Sequence, residues 1–220
     1  MTARGLADGG FGAHPRLQLM DWKRRVSAMF DAVRAAGDDP AAGAAACTAW
    51  RAARDELFAG HPQSPLTPDA RAGFAGVPYF PHDPALRIAA ELEPDRDGPS
   101  LILPMSEGVS PRFTRIGFVT VALPETTARL AVFWLDGYGG GLFLPFRDAS
   151  PDTYGAGRYL LDTVKGADLG TDGDGRLILD FNYAYNPSCS YDPQWSCPLA
   201  PPQNRLDVAV EAGERTAPWY

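Results

Sequence analysis

Aspartate, arginine, asparagine and tyrosine residues recur among apolar and aromatic residues in the second half of the chain. Asp148, Arg158, Asp180 and Tyr185 each lie at a predicted strand end or in an aromatic segment. A desolvated aspartate can accept a proton, an arginine can stabilise an oxyanion, and a tyrosine can donate a proton. We therefore predict that these four residues are the catalytic groups of a site for a small molecule.

The segment Asp180–Arg205, DFNYAYNPSCSYDPQWSCPLAPPQNR, is called the aromatic loop here. Rigid aromatic rings and prolines of fixed φ can build a preorganised pocket around polar groups. The predicted ligand-binding residues are Tyr154, Asn182, Asn186, Trp195, Asn204 and Arg205. A purely structural role stays open, because buried Asp–Arg pairs can neutralise one another and Asn side chains can bond to backbone turns.

Cys189 and Cys197, two of the three cysteines, lie inside the aromatic loop. Their spacing differs from the closely spaced ligand pairs of zinc sites, and we predict packed thiols, with a disulfide or a reactive thiol as alternatives. The segment GADLGTDGDGR at 166–176 lacks the ligand spacing of a calcium loop and predicts an acidic hairpin turn. We predict no metal and no cofactor, and we interpret His82 as a loop histidine.

Composition narrows the classes of partner. The net charge of −7 and the isoelectric point near 4.9 argue against a nucleic-acid surface, which needs clustered cations. No apolar run approaches the roughly 18 residues of a membrane span, and no secretory signal precedes Pro15. We expect a cytoplasmic bacterial protein that binds a small molecule, and its oligomeric state stays undetermined.

The elements that must position these residues follow from apolar periodicity. Residues 1–14 are predicted to be a flexible lead, and 15–220 a single domain that is helical over 15–60 and mainly β over 86–215. The first helix begins at Pro15 and stops at Gly37, and the second ends near Gly60. Strands are predicted at 86–92, 101–103, 116–123, 129–135, 142–146, 158–161, 177–181 and 206–210.

These elements predict an α+β, mainly β fold, in which N-terminal helices precede an antiparallel sandwich or barrel-like sheet. The PETTA segment at 124–128 separates two strands that are predicted to form a hairpin. Pro145 inside the strand LFLPF indicates an edge or a bulge, because proline cannot donate a hydrogen bond to a sheet.

A series of motifs resembles the bacterial DUF1684 family between residues 50 and 215. The motifs are WRAARDELF, HPQSPL, FAGVPYFPHDPALR, GGGLFLPFRDA, TYGAGRYLLD, LDFNYAYNPSCSY, SCPLAPPQNRL and EAGER. The resemblance implies a shared fold with the aromatic loop at its centre, in a family of unassigned function. The segment FRDASPDTY, which includes Asp152, is shorter than is usual in that family, so a pocket shaped by this loop would differ.

Two hypotheses follow from the residues. In the first, the chain is a cofactor-free enzyme of small-molecule metabolism, with Asp/Arg/Tyr acid–base catalysis in a pocket that residues 183–204 cap. In the second, the chain is a non-catalytic binding or interaction module in which the aromatic loop is structural. A nicotinamide-dependent enzyme is disfavoured, because the glycine fingerprint of dinucleotide binding is missing from the sequence.

Overall fold

The computed structural model describes residues 14–106, 108 and 111–217. The predicted flexible lead at 1–14 lies outside the described residues except for His14, which is the N-cap of the first helix. Both predicted N-terminal helices are confirmed, and each begins with a proline in its first turn. The helices are α1 (Pro15–Ala36), α2 (Pro40–Gly60) and the short α3 (Pro68–Ala72).

Eight strands follow the helices in the described part of the chain. They are β1 (Arg87–Ala90), β2 (Leu92–Pro94), β3 (Ser100–Ile102), β4 (Arg112–Leu123), β5 (Thr126–Leu135), β6 (Gly141–Phe146), β7 (Arg158–Asp162) and β8 (Leu177–Asp180). Short 3-10 helices occupy Pro84–Leu86, Thr163–Lys165, Phe181–Tyr183, Ser188–Ser190 and Pro202–Asn204.

The strands form two open antiparallel sheets. The larger sheet has six strands in the order β2-β4-β5-β6-β7 with β3 also on β4, and the smaller sheet pairs β1 with β8. The predicted hairpin is confirmed as β4–β5, and the predicted irregularity at Pro145 is a register shift between β6 and β7. The α+β, mainly β class with N-terminal helices followed by antiparallel sheets is therefore confirmed.

The structure corrects two strand predictions. The single strand predicted at 86–92 is divided at Glu91, because Ala90 pairs with Leu177 of β8 whereas Leu92 pairs with Val119 of β4. The strand predicted at 206–210 was wrong. Side chains take up part of its backbone hydrogen bonding, since the Asp148 carboxylate accepts from the Val210 amide and the Arg158 guanidinium donates to the Val210 carbonyl.

The centre of the large sheet is buried on both faces, as alternate residues of β5 show. Ala131 and Phe133 pack in the cluster that includes helix residues such as Phe30 and Trp50. Leu130 and Val132 face a second cluster, which contains Phe146, Phe181, Leu206 and Val210 from the sheet, the aromatic loop and the C-terminal segment. Side chains of successive strand residues point to opposite faces, so this one strand contributes to both cores. No helix among the described residues is long and apolar enough to cross a membrane.

Candidate functional site

Two of the predicted catalytic residues, Arg158 and Asp148, form a buried ion pair that holds the C-terminal segment. The Arg158 side chain is fully buried and donates to Asp148 Oδ2 at 2.9 Å. The same guanidinium donates to the backbone carbonyls of Val210, Ala212 and Glu214. Burial lowers the pKa of Arg158, and the neighbouring Asp148 carboxylate opposes that shift. These bonds are those of a structural group.

Two of the predicted ligand-binding asparagines bond to backbone groups of distant segments. Asn204 accepts from the Ala131 amide at 2.7 Å and donates to the carbonyls of Ala131 and Pro145. Asn182 accepts from the Asp83 amide at 2.8 Å and donates to the Asp83 carbonyl at 2.7 Å. Asn182 therefore holds the segment that carries His82 beside the start of the aromatic loop.

The remaining predicted residues are distributed over several places. Tyr185 donates to Asp162 Oδ2 at 3.2 Å, and with Asn186 it lines a small cavity of about 40 Å³. The Trp195 indole donates to the Pro65 carbonyl at 3.3 Å, and the Tyr154 hydroxyl contacts Cys189 Sγ at 3.9 Å. Arg205 is exposed and forms a backbone bridge with Arg147.

Asp180, the first residue of the aromatic loop, lines a surface cleft of about 310 Å³. The residue ends β8 and lies directly opposite Arg87 of β1. The connection between α1 and α2 also lines the cleft. The cleft is lined by Val33, Gly37, Asp38, Asp39, Pro40, Gly43, His82, Pro84, Arg87, Ala89, Asp172, Arg176, Ile178, Asp180 and Tyr183.

The two carboxylate oxygens of Asp180 have different surroundings. Oδ1 accepts from the backbone and side-chain amides of Asn182 at 3.0 and 2.8 Å, whereas Oδ2 lies 3.7 Å from the Arg87 guanidinium. Burial raises the pKa of Asp180, although the Asn182 hydrogen bonds and Arg87 act in the opposite direction. A carboxylate with a raised pKa at a cleft wall is a suitable proton acceptor.

Arg87 is the cation of the cleft that is least tightly paired. Its guanidinium lies 3.3 Å from Asp38 and 3.7 Å from Asp180, and its side chain is 23% exposed. Arg176, by contrast, bonds to Asp172 at 2.7 Å through two of its nitrogens. Arg87 can therefore turn towards an anionic group of a ligand without losing a short ion pair.

Tyr183 and His82 complete the titratable groups around Asp180 in the described cleft. Burial raises the pKa of the Tyr183 phenol, whose hydroxyl is hydrogen-bonded with the thiol of Cys47. The phenol therefore keeps its proton at neutral pH. His82 is half-buried on the same wall. The set Asp180, Arg87 and Tyr183 has the residue types that were predicted for acid–base chemistry.

Sequence reasoning selected Asp180 but missed Arg87 and Tyr183 as its neighbours. Tyr183 follows Asp180 by three residues, and the 3-10 helix Phe181–Tyr183 turns it back towards the cleft. Spacing could have indicated this return. Arg87 reaches Asp180 only through the pairing of β1 with β8, two strands that are far apart in the sequence. No local pattern in the sequence carries that pairing.

A second, more apolar pocket of about 290 Å³ lies beside the aromatic loop. Phe113, Phe143 and Tyr159 form much of its wall, and the aromatic loop contributes Ser196 and Pro198. This pocket shares no lining residue with the Asp180 cleft. Among the described residues, no group of three or more His, Cys, Asp or Glu side chains is arranged to hold a metal ion.

Comparison with known proteins places the chain in a family. The family model "Protein of unknown function (DUF1684)" matches residues 72–215, and the chain belongs to that family. A similar solved structure is the solution NMR structure of an uncharacterised protein from Haloarcula marismortui. It is 34% identical, with a TM-score of 0.57 over 79% of this chain and 94% of that chain. No curated protein matches the sequence.

Proposed function

We propose that this protein is a cofactor-free enzyme that performs acid–base chemistry on a small polar molecule in the Asp180 cleft. One observation carries the proposal: a buried carboxylate with a raised pKa lies at the wall of a surface cleft, 3.7 Å from a weakly paired arginine. Ionisable groups whose pKa is shifted and that face a cleft are typical of active sites.

The cleft assigns a role to each group. Asp180 Oδ2 accepts a proton from the substrate, Arg87 binds a carboxylate or stabilises an oxyanion, and the Tyr183 phenol is a proton donor. The walls also carry the acidic residues Asp38 and Asp39. Charges of both signs favour a substrate that has an anionic and a cationic group, such as an amino acid or an amino-acid derivative.

The binding step is tested through Arg87, because its side chain is partly exposed and its contacts with Asp38 and Asp180 are long, at 3.3 and 3.7 Å. The melting temperature of the wild type is measured with a panel of amino acids, hydroxy acids and amines. We expect zwitterionic compounds to raise it, and we expect Arg87→Ala to abolish that rise. Arg129→Ala is the matched control, because Arg129 pairs with Glu93 on the sheet surface and does not line the cleft. An equal rise in Arg87→Ala would exclude the proposed binding mode.

The chemical step is tested through Asp180→Asn. The compounds that bind are incubated with wild type and variant, and their conversion is followed by mass spectrometry. Removal of a general base lowers turnover by roughly 100-fold or more while binding persists. The alternative class, a binding module without catalysis, is favoured by the structural bonds of Arg158 and Asn204. In that case the wild type binds the compound and no conversion occurs.

Cellular setting and partners belong to the same proposal. A cytoplasmic location is supported by three cysteines that are not joined in disulfides. A partner other than nucleic acid is supported by the net charge of −7. The Arg-rich, Lys-poor composition, with Lys23 and Lys165 as the only lysines, supports a bacterial source.

A further inference from the structure

Cys189 and Cys197 of the aromatic loop are brought into direct contact. The Cys189 backbone amide donates to Cys197 Sγ at 3.3 Å, and the two thiols are hydrogen-bonded to each other. The chain returns on itself between them through the 3-10 helix Ser188–Ser190 and the turns that follow. Bonded sulfur atoms lie about 2.05 Å apart, so formation of a disulfide would draw the two hydrogen-bonded thiols closer together.

Polar groups surround the pair on several sides. The Tyr154 hydroxyl lies 3.9 Å from Cys189 Sγ, and Ser106 accepts through its side chain from the Cys197 amide at 2.9 Å. Lys165 and Tyr159 also act on Cys197 electrostatically. Both cysteines are buried, with 6% of Cys189 and 4% of Cys197 exposed, so a small oxidant suits the site better than a bulky one.

The electrostatics of the pair distinguish its two members. The hydrogen bond from Cys197 lowers the pKa of Cys189 to about 6, against the effect of burial. The same bond, in which Cys197 is the donor, raises the pKa of Cys197. The pair therefore loses one proton readily and retains the other. At neutral pH Cys189 is a thiolate, the nucleophilic form of cysteine, and Cys197 is a thiol.

We propose that Cys189 and Cys197 are a redox-active cysteine pair, in which a hydroperoxide oxidises Cys189 and Cys197 resolves the product to a disulfide. The Cys189 sulfur attacks one peroxide oxygen and the O–O bond breaks. The other oxygen leaves with the bonding electrons and takes a proton from water, which gives an alcohol or water and releases a hydroxide ion to solvent. Cys189 is now a sulfenic acid, oxidised by two electrons.

Cys197 completes the reaction. Its sulfur attacks the Cys189 sulfur, the S–O bond breaks, and the departing hydroxide combines with the Cys197 proton to form water. An external dithiol can then reduce the disulfide by thiol–disulfide exchange, which returns both thiols. The cysteine pair is separate from the Asp180 cleft, so its redox role can be tested independently of the proposed enzymatic function.

The test is treatment of the full-length wild type with hydrogen peroxide, followed by intact-mass and peptide mass spectrometry. We expect loss of two hydrogen atoms and a Cys189–Cys197 linkage that a dithiol reverses. Cys47→Ser is the matched control and retains the linkage, because Cys47 is a buried thiol whose pKa burial raises. In Cys197→Ser we expect a sulfenic acid at Cys189, detected with a dione trapping reagent.

The order in which the three cysteines react with peroxide tests the roles assigned to Cys189 and Cys197. At pH 7 in the wild type, Cys189 should react with hydrogen peroxide at least ~10-fold faster than Cys47, because its thiolate fraction is far larger. Its rate should reach half its maximum near pH 6. Formation of sulfenic acid first at Cys197, equal rates at all three cysteines, or the absence of the linkage in peroxide-treated wild type would overturn the proposal.

Discussion

Arg158 illustrates how a residue with catalytic chemistry can be occupied by structural bonds. Its guanidinium bonds to one carboxylate and to carbonyls of the C-terminal segment, all in the interior. A buried charge is costly without a partner, and this network supplies the partners. Asp180 differs, because Oδ2 faces Arg87 at 3.7 Å and the residue lines a cleft. The surroundings of each group, rather than its type, separate the structural role of Arg158 from the role proposed for Asp180.

Replacement of Arg158 should be strongly destabilising. Arg158→Met leaves the Asp148 carboxylate buried without its cation, and loss of one partner of a buried pair costs about 3–5 kcal/mol. The free energy of unfolding is measured by urea denaturation. Arg129→Met, which breaks the exposed pair with Glu93, should cost less than about 1 kcal/mol. Equal losses in the two variants would contradict the structural role of Arg158.

Asp180 should make stability depend on pH with a defined sign. Burial raises its pKa above the ordinary 3.8, so over the interval above pH 3.8 the folded state holds more protons than the unfolded state. The free energy of unfolding therefore falls as the pH rises through that interval. We expect the unfolding free energy of the wild type minus that of Asp180→Asn to decrease from pH 3.8 upward. Denaturation of both proteins at each pH measures this difference. An increase would show that the folded state favours the charged form.

The C-terminal EAGER segment is held as an element by close backbone contacts. Gly213 has φ +73°, and an added Cβ would lie 2.4 Å from the Ala184 carbonyl oxygen and 2.7 Å from that of Phe181. The Phe80 amide donates to the Gly213 carbonyl at 3.0 Å. The segment therefore packs closely between the aromatic loop and the residues around Phe80, which precede β1. A glycine at position 213 allows this close approach because it has no side chain.

Comparison of Gly175 with Gly213 separates the cost of a left-handed backbone conformation from the cost of steric crowding. Gly175 has φ +80° with nothing within 4 Å of an added Cβ, so Gly175→Ala should cost about 1–2 kcal/mol of stability. Gly213→Ala incurs the same strain and in addition meets two carbonyl oxygens, which should add ~1–3 kcal/mol. Thermal or urea unfolding of both variants measures the difference. Similar values would show that the segment shifts without cost.

At the scale of the whole molecule, the N-terminal helices belong to the same core as the sheet. Arg54 of α2 forms a buried ion pair with Glu214, 160 residues along the chain. Trp50 packs edge-on against Tyr183 with ring centroids 5.2 Å apart. The family match begins only at residue 72. The segment that the family model matches is therefore shorter than the part of the chain that buries this core.

A chain that begins at residue 72 should fail to fold cooperatively. It lacks Arg54, which leaves Glu214 buried without its cation, and it exposes the apolar face that α1 and α2 cover. Circular dichroism during heating should show a broad transition, whereas a chain of residues 14–217, which keeps both helices, should unfold as sharply as the full chain. A sharp transition in the shorter chain would mean that α1 and α2 contribute little to the stability of the remaining fold.

Local sequence determined the parts of this protein that depend on neighbouring residues. Apolar periodicity and prolines placed α1 and α2, alternation placed the β4–β5 hairpin, and Pro145 marked the irregularity in β6. The strand predicted at 206–210 failed because part of its backbone hydrogen bonding goes to side chains remote in sequence, which periodicity does not report.

The sequence by itself determined the family and the class of fold, and it predicted a site in the segment around Asp180. Tertiary structure alone decided which polar residues face a cleft and which are paired inside. Arg87 meets Asp180 through strand pairing, and Cys189 meets Cys197 through the return of a loop. Such contacts depend on long-range packing of buried surfaces, and the pKa of each group depends on the burial and charges that this packing creates.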